Sequence, residues 1–409
     1  MSLHRKADPR HPFFSITFSL ILFALATLSQ TPKSFGAAPD APKAPPDVLV
    51  FTNGDQLSGT FLHEVGGKVT FHSDMVGDID IEWSKIKELR TQTKVAVLEK
   101  SVTLNPRKPV PASVPQGTVT VAADTVTVHP ENNATIPTIP VKNATYIVDQ
   151  ATLTKQMGHE PGFFTGWNGS ATAGATIVQA TQKQYSFNGA LALLRVMPTL
   201  SWLNPRNRTT ADFTGSYGKI TEKSYTSGGV FFPSITTKTA LYHADAERDE
   251  YFSPRVYVLG QVAFDHNFSQ GLDLQQIYGG GIGWTALKRP NQELDLKATV
   301  QYERQSFINA TDGVNQNLIG STFAAIYFAK LPRGMVFNQQ AAYIPAYNNT
   351  RAWSVTETDS LAIPGYKNLA FSIGTLDTYL NNPGPALPPP DRNSFQFTFG
   401  VTYLIKSKY

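Results

Sequence analysis

The sequence predicts an all-β protein: an antiparallel transmembrane β-barrel of about twelve strands, preceded by a small β region. Two observations carry this prediction. Residues 160–409 alternate apolar and polar side chains over long stretches, and after the N-terminus no apolar stretch is long enough for a membrane-spanning helix. A chain that crosses lipid without such helices must satisfy its backbone hydrogen bonds in a closed barrel.

Residues 1–38 have the pattern of a secretory signal peptide. A basic start that includes Arg5 is followed by the apolar run 13–28, and Gly36 and Ala38 are small residues suited to a cleavage site. An uncleaved membrane anchor is the alternative interpretation. The prolines of residues 39–47 indicate a linker after this segment.

The composition excludes several classes of function. The net charge is only +4, and the chain lacks the basic clusters interleaved with aromatics that nucleic-acid binding requires. Cysteine is absent, which excludes disulfides, thiolate metal sites, a cysteine nucleophile and a lipidated cysteine. A chain without cysteine also suits passage through an oxidising periplasm.

Together with the predicted signal peptide and barrel, this composition leads us to expect a bacterial outer-membrane protein, in contact with membrane lipid, whose N-terminal region is periplasmic.

Residues 48–150 are predicted to form that small periplasmic β region. Asn53-Gly54-Asp55 is a turn signal between apolar runs, and its pattern with Gly59 resembles SH3-like or Sm-like barrels. Prolines in residues 106–115 interrupt the region, so it could contain two units. A faint repeat, which could also arise by chance, matches Ile81, Trp83, Ile86 and Leu89 with Ile139, Val141, Ala144 and Ile147.

Residues 160–409 are predicted to be the barrel, because their strand-like segments exceed the roughly 5–6 residues usual in soluble domains. The predicted strands are 164–180, 184–197, 208–221, 236–249, 253–267, 272–287, 292–306, 315–331, 335–347, 350–363, 367–380 and 394–407. Tight joins and long polar loops connect them, as in outer-membrane barrels. A soluble sandwich, or a barrel around an internal cavity, would give the same alternation with the faces exchanged.

The last strand shows the alternation most clearly, because its aromatic and aliphatic residues share one face and its small polar residues the other. The apolar set is Phe395, Phe397, Phe399, Val401, Tyr403, Ile405 and Tyr409. We predict that this strand closes the barrel and that its aromatic face contacts lipid.

A row of titratable residues follows one face of an earlier strand. The row consists of His243, Asp245, Glu247 and Asp249, spaced about 7 Å apart in steps of two residues. Such a row could bind a divalent cation or line a pore, and it could equally be a solvated lumen wall or an extracellular rim. We predict a lumen-facing polar row, without a metal or other cofactor.

Segment 242–302 contains three motifs in order: AERDEYF at 246–252, FDHNFSQGLDL at 264–274 and YGGGIGW at 278–284. In order and spacing they resemble a bacterial family of salt-induced outer-membrane proteins, a domain of unknown function. The resemblance covers residues 160–409 and implies an outer-membrane β-barrel with no defined catalytic residues. It also implies that the outer-membrane assembly machinery recognises the terminal strand. Residues 48–150 fall outside the resemblance and are expected to contact a periplasmic partner.

We predict that the protein is not an enzyme. Asp265, His266 and Ser269 have the residue types of a hydrolase triad, but strand neighbours point to opposite faces and no G-x-S-x-G motif is present. The glycines of 279–283 lack the lysine of a phosphate-binding loop and indicate either strong barrel curvature or close packing of an inward group. The predicted function is a structural or narrow-pore barrel. The alternatives are a membrane-embedded hydrolase of lipid or envelope substrates and a soluble periplasmic β-rich binding protein.

Overall fold

The computed structural model describes residues 45–130, 138–158, 160–179, 182–227, 229–308, 315–383 and 392–407. Residues Pro46–Tyr409 form one compact unit, built mainly of β-strands. The predicted signal peptide (1–38), most of the predicted linker (39–47) and Tyr409 lie outside the described residues. In the part of the chain that is described, no helix is long and apolar enough to cross a membrane.

The N-terminal part of this unit contains two halves with the same order of elements. The first half consists of β1 (Asp47–Phe51), β2 (Gln56–Val65), β3 (Lys68–Ser73), β4 (Gly77–Glu82), a 3-10 helix (Trp83–Lys85) and β5 (Ile86–Arg90). The second half consists of β6 (Val95–Glu99), β7 (Gln116–Ala122), β8 (Thr125–His129), β9 (Ile139–Pro140), a 3-10 helix (Val141–Asn143) and β10 (Ala144–Asp149). In each half the first strand pairs with the second and the fifth, the second with the third, and the third with the fourth. The sequence repeat therefore corresponds to a structural repeat.

The two halves share one sheet and one core. β5 pairs with β7 and β10 pairs with β2, which closes a ring in the order β1-β5-β7-β6-β10-β2. All eight repeated positions pack in the same hydrophobic cluster, together with Leu49, Phe61 and Phe71. The predicted small all-β region is confirmed, and its two copies complete each other's sheet.

A short helix, α1 (Gln150–Gln156), leads from β10 toward the second part of the unit. The Asp149 carboxylate accepts a hydrogen bond from the Thr152 backbone N–H (2.6 Å) and caps the helix. Leu153 and Met157 then pack in a second hydrophobic cluster that includes Leu203, from a later turn of the chain. The helix therefore holds the N-terminal β region, strands β1–β10, against that turn.

The remaining strands form a closed antiparallel barrel of twelve strands, which confirms the predicted fold class. Its strands are β11 (Trp167–Gln179), β12 (Gln182–Met197), β13 (Asn207–Glu222), β16 (Ile235–Tyr251), β17 (Val256–Asn267), β18 (Leu272–Arg289), β19 (Gln292–Phe307), β20 (Gln316–Lys330), β21 (Val336–Pro345), β22 (Trp353–Pro364), β23 (Leu369–Leu380) and β24 (Asn393–Ile405). A separate hairpin, β14 (Tyr225–Ser227) and β15 (Val230–Phe232), lies where the sequence predicted a loop.

The two rims of the barrel differ in their connections. At the rim that contacts the N-terminal β region, called the proximal rim, some connections are very short, as between Arg289 and Gln292. At the opposite, distal rim several connections are long, as between Glu222 and Ile235 or between Leu380 and Asn393. This asymmetry is typical of barrels whose short turns face the periplasm.

Candidate functional site

The inward-facing residues of β13, β16, β17 and β19 form a charged wall of the lumen. Directly paired residues face the same side, so the registers fix which residues point inward. The inward carboxylates of these four strands are Asp212, Glu222, Asp245, Glu247, Asp249, Asp265, Glu293, Asp295 and Glu303. Two permanent cations, Arg208 and Lys297, and the imidazole of His243 face these nine. This wall therefore carries a net negative charge.

The opposite wall, formed by β21–β24, is neutral. Its inward positions carry only small, polar or apolar side chains, such as Gln340, Thr358, Ser372 and Gln396. Ser216 on β13 donates a hydrogen bond to Gln396 on β24 (3.2 Å), although β11 and β12 separate these strands in the barrel. Side chains from strands three places apart in the ring therefore meet inside the lumen.

Arg208 is the centre of the charged network near the proximal rim. Its Nε lies 2.6 Å from Asp249 Oδ2, its Nη2 2.6 Å from Asp295 Oδ2, and its Nη1 3.3 Å from Glu293 Oε1. The side chains of Arg208, Asp249 and Asp295 are 12, 1 and 3% exposed. Nη2 also donates to the Tyr257 hydroxyl (3.1 Å), which in turn donates to Asp295 (3.2 Å). Arg208 therefore contacts all four partners, and Tyr257 and Asp295 also contact each other.

The glycines of 279–283 make room for this network. A Cβ atom at Gly283 would overlap the ring of Tyr257, and one at Gly281 would overlap the backbone carbonyl of Ala298. The inward face of β18 is therefore bare at these positions, and the Tyr257 side chain lies across it. The prediction that glycine here allows close packing of an inward group agrees with this geometry.

The predicted row of His243, Asp245, Glu247 and Asp249 lies on the inward face of β16. The Nδ1 of His243 is 2.6 Å from an oxygen of Asp265, and its Nε2 is 3.0 Å from an oxygen of Asp245. Glu247 is paired with Lys297 of β19. His243 thus bridges Asp245 and Asp265, and Glu247 and Asp249 each pair with a cation. The described residues contain no group of three or more His, Asp or Glu that could hold a metal ion.

Apolar side chains and a buried glutamine close the distal end of the lumen. Leu272, Phe307 and Leu380 form a buried cluster that joins β18 and β19 to β23. Gln270, in the 3-10 turn between β17 and β18, is 3% exposed. Its Nε2 donates to the backbone carbonyls of Thr378 (3.1 Å) and Arg392 (2.9 Å), at the end of β23 and before β24. This cluster and glutamine, called the distal closure, tie opposite sides of the barrel together.

Hydrogen bonds anchor the N-terminal β region to the proximal rim. Arg107 donates from Nη1 to the Tyr251 carbonyl (2.8 Å) and from Nη2 to Glu250 (2.9 Å). Arg206 donates in the other direction, to the Pro106 carbonyl (3.2 Å). The proline-rich segment 106–115, predicted to be a break, therefore provides part of the contact with the barrel.

A second anchor of the proximal rim is an ion cluster around Glu160, which precedes β11. Its carboxylate contacts Arg195 (3.1 Å) and Arg248 (3.3 Å). Burial alone would raise the pKa of Glu160, but the hydrogen bonds from the two arginines outweigh it and lower this pKa below its ordinary value. Glu160 is therefore held ionised, and the anchor loses strength in acid.

The outward face of the barrel is apolar over most of its circumference. The predicted closing strand, β24, exposes Phe395, Phe397, Phe399, Val401 and Tyr403 by 50–63%. The inward residues of the same strand are Ser394, Gln396, Thr398, Gly400, Thr402 and Leu404. β24 pairs with β11 and completes the ring, and Ile405 pairs with Gly169 at this seam. Large apolar groups that are exposed in so regular a pattern are expected to contact hydrocarbon.

One part of the outward face is polar, which the sequence alternation did not predict. Glu357 and Asp359 on β22 and Asp377 on β23 have the outward parity, and Glu357 lies directly opposite Asp377. Gln339 donates to Glu357 (3.1 Å) and Thr375 donates to Asp359 (3.1 Å). The local sequences read as ordinary alternating strands, so no sequence signal separates this outward polar patch from a lumen wall.

The polar patch lies within the height of the apolar belt. On the same three strands, Tyr343, Trp353 and Tyr379 form an aromatic cluster on its distal side, with ring centroids 5.0–6.1 Å apart. Leu361 and Phe371 follow on its proximal side. Carboxylates at this level are costly in contact with lipid.

The residues of the alternative hydrolase do not assemble. Asp265 faces the lumen and contacts His243, whereas His266 faces outward and its Nδ1 lies 2.6 Å from the Asp273 carbonyl. Ser269 lies in the following 3-10 turn. The contact between Asp265 and His243 was not anticipated, because it joins two strands whose register the sequence does not specify.

The fold, the apolar outward face and the polar lumen define the class of the protein, a transmembrane-type β-barrel with an N-terminal β region at one rim. Within that class, a family model described as "Protein of unknown function, DUF481" matches residues 171–404. The chain belongs to this family, which confirms the resemblance to a domain of unknown function.

No curated protein matches the sequence. Three solved structures are similar to the barrel part. The NanC porin has 9% sequence identity and a TM-score of 0.32, with 58% of this chain and 98% of that chain covered. A bacterial polysaccharide outer membrane secretin has 9% identity and a TM-score of 0.30, with 59% of this chain and 98% of that chain covered. The beta domain of the Bordetella autotransporter Brka has 11% identity and a TM-score of 0.27, with 59% of this chain and 98% of that chain covered. At such TM-scores the likeness carries no weight for function.

Proposed function

We propose that the protein is a non-enzymatic outer-membrane barrel with a narrow, cation-selective lumen, and that its N-terminal β region lies in the periplasm. The observation that carries this proposal is the charged wall, with nine inward carboxylates against two permanent cations. Rings and rows of Asp and Glu are the usual means by which pores favour cations. The apolar outward face favours membrane insertion over the soluble binding protein.

The width of the lumen supports a narrow path rather than a general porin. Barrels of about this strand number lie between those filled by side chains and those with a wide aqueous channel. Inside the lumen, Ser216 contacts Gln396 and Glu247 contacts Lys297, and each pair joins strands three places apart in the ring. A hydrated solute larger than a simple ion would have to displace these contacts.

The distal closure makes the proposed path one that is shut at rest. Phe307 fills the distal end with Leu272 and Leu380, and Gln270 holds the turn above them. Removal of the aromatic ring, or of both hydrogen bonds of Gln270, should open the path. A barrel with a filled lumen and a purely structural role is the second candidate, favoured by the same side-chain contacts.

Conductance in planar bilayers separates the two candidates. We expect little or no current for the wild-type protein and clear currents for Phe307→Ala, with a reversal potential in asymmetric KCl that shows a preference for K⁺. Asp245→Asn combined with Asp265→Asn should reduce this preference, because it removes two of the inward charges. Glu88→Gln, on β5 in the N-terminal β region, is the matched control and should leave the currents unchanged.

Three outcomes would contradict the pore. They are the absence of current in folded wild type and in Phe307→Ala, an anion preference, or a selectivity that Asp245→Asn and Asp265→Asn leave unchanged.

The location has its own test, since a folded outer-membrane barrel migrates differently on a gel before and after boiling. Recovery of the protein in the soluble periplasmic fraction would contradict the membrane proposal.

We also propose that β24 is the element recognised by the outer-membrane assembly machinery. Its exposed aromatic face and its place at the closing seam support this proposal. Deletion of residues 399–409 should abolish folding into the membrane. Assembly of the truncated chain in the outer membrane would show that recognition depends on another strand.

For the N-terminal β region, we propose a periplasmic partner, because about a quarter of the chain serves no purpose in closing the barrel.

A further inference from the structure

Three lysines lie together on the outward face of the barrel near the distal rim. Lys219 on β13 is directly opposite Lys238 on β16, and Lys183 on β12 is two residue pairs further along the β12–β13 ladder, opposite Thr221. Lys183 and Lys238 are exposed, and Lys219 is half-buried. Their parity is that of Phe187, Phe213 and Tyr242, so they point away from the lumen.

Each of the three lysines follows aromatic residues on the outward face of its own strand. Toward the distal rim, the outward face of β12 presents Phe187, Tyr185 and Lys183 in succession. β13 presents Phe213, Gly215, Tyr217 and Lys219, and β16 presents Ala244, Tyr242, Ala240 and Lys238. Tyrosines in barrel strands mark the level where hydrocarbon ends and headgroups begin. The ammonium groups therefore reach the level of the lipid headgroups.

No carboxylate neutralises this cluster. Among the described residues, none of the ion pairs involves Lys183, Lys219 or Lys238. The outward positions of β12, β13 and β16 carry a single carboxylate, Glu250, which lies at the proximal rim. Like charges directly opposite each other in a sheet are destabilising. The pair of Lys219 and Lys238 therefore needs a counter-charge that these three strands do not supply.

We infer that Lys183, Lys219 and Lys238 form a binding site for the phosphate group of a lipid headgroup in the leaflet at the distal rim. Lysine binds phosphate as a point charge, and basic residues beside a membrane attract anionic lipids. Tyr185, directly opposite Lys219, adds a hydroxyl donor at the edge of the same cluster. The acyl chains of such a lipid would lie along the apolar outward face below the tyrosines. This inference rests on the proposed membrane location, and it is independent of the pore.

The site can be tested with the full-length protein folded in dodecyl maltoside, a detergent without phosphate. Phosphatidic acid and diacylglycerol with the same acyl chains are added in parallel, and the temperature at which the folded gel band is lost is measured. We expect phosphatidic acid to raise this temperature, because a ligand of the folded state stabilises it, and diacylglycerol to leave it unchanged.

Two double variants decide whether the lysines are responsible. One lysine near an anionic lipid surface changes affinity about 5-fold, so Lys219→Gln with Lys238→Gln should require roughly 25-fold more phosphatidic acid for the same shift. Lys87→Gln with Lys142→Gln, two exposed lysines of the N-terminal β region, carries the same change in charge and should respond as wild type. Lys183→Gln alone serves if the first double variant fails to fold, and it should require about 5-fold more lipid.

Each of three results would overturn the site. Diacylglycerol could stabilise the protein as well as phosphatidic acid does. The Lys219 and Lys238 double variant could respond as wild type, or inorganic phosphate could give the same shift as the lipid, which would assign the site to the free ion. A protein that folds, conducts and shows none of the expected lipid preference would overturn the lysine site alone. A protein that is soluble without detergent would overturn the proposed function together with it.

Discussion

The strongest test of the charged wall is the removal of its central cation, Arg208. Substitution by glutamine leaves Asp249 and Asp295, which are 1 and 3% exposed, without the guanidinium that lies 2.6 Å from each. Loss of one partner from a buried ion pair typically costs about 3–5 kcal/mol, because the remaining charge stays buried. We expect Arg208→Gln to lower the free energy of unfolding by about that amount, measured by urea titration of the protein in lipid vesicles.

A rescue experiment separates the loss of charge balance from a loss of packing. If buried uncompensated charge is the cause, Asp249→Asn together with Asp295→Asn should restore more than half of the lost stability in the Arg208→Gln background. Arg90→Gln removes an exposed ion pair with Glu88 and is the control, for which we expect no measurable change. An unfolding free energy of Arg208→Gln within error of wild type, or a triple variant less stable than the single one, would refute the reasoning.

Three further predictions concern other parts of the molecule. Burial raises the pKa of Glu64, so the stability linked to its protonated form is full below the ordinary glutamate pKa and is lost as the pH rises through the raised value. Glu64→Gln should therefore be more stable than wild type at neutral pH and equal to it in acid, as followed by the fluorescence of Trp83. Asp359→Leu should stabilise the barrel in vesicles if its outward wall contacts lipid, and should destabilise it if a partner protein covers that wall. Gly283→Ala should destabilise the barrel by about 1–3 kcal/mol in the same urea titration, because the new methyl group overlaps the ring of Tyr257.

The sequence predicts the strands of the barrel well, because alternation is a local property of each strand. The interval 294–303 alternates charged or polar residues with apolar ones, and the structure places the two sets inside and outside. The segment of the β14–β15 hairpin was predicted to be a loop, since its two strands have only three residues each and show no alternation. The prediction worked where burial in lipid imposes a period of two, and failed where the hairpin pairs only with itself.

The pairing of the N-terminal halves could not be predicted in the same way. The repeat at Ile81 and Ile139 identifies two similar units, and two independent barrels would have explained it equally well. The exchange in which β5 pairs with β7 and β10 with β2 depends on edges that each half leaves open. Edge pairing is a tertiary choice that leaves no local pattern.

The candidate site was predicted in its row but not in its partners. His243 and Asp245 share a face because they are two residues apart, which any strand would ensure. Their contacts with Asp265, and the pairing of Arg208 with Asp295, depend on registers between strands that are far apart in sequence. No sequence motif marks Arg208, which stands in an ordinary polar strand. The charge of the lumen was visible strand by strand, whereas its confinement to one wall required the order of the strands.

The seam between β11 and β24 is the part of the fold on which the proposed role of the terminal strand depends. The two strands pair over only five residue pairs, from Gly169–Ile405 to Ala173–Val401, compared with eleven between β23 and β24. Within it Thr172 lies directly opposite Thr402, and the two hydroxyls are 2.7 Å apart. Directly opposed residues of antiparallel strands have Cα atoms about 4.5–5.5 Å apart, within the range that a disulfide spans.

Because the chain contains no cysteine, Thr172→Cys with Thr402→Cys should give a single cross-link in the folded protein, visible as a changed migration of the boiled, non-reduced chain. Thr172→Cys with Thr398→Cys, displaced by four residues along β24, should not form it. A cross-link in the displaced pair, or none in the opposed pair, would mean that the barrel closes in another register or through another strand.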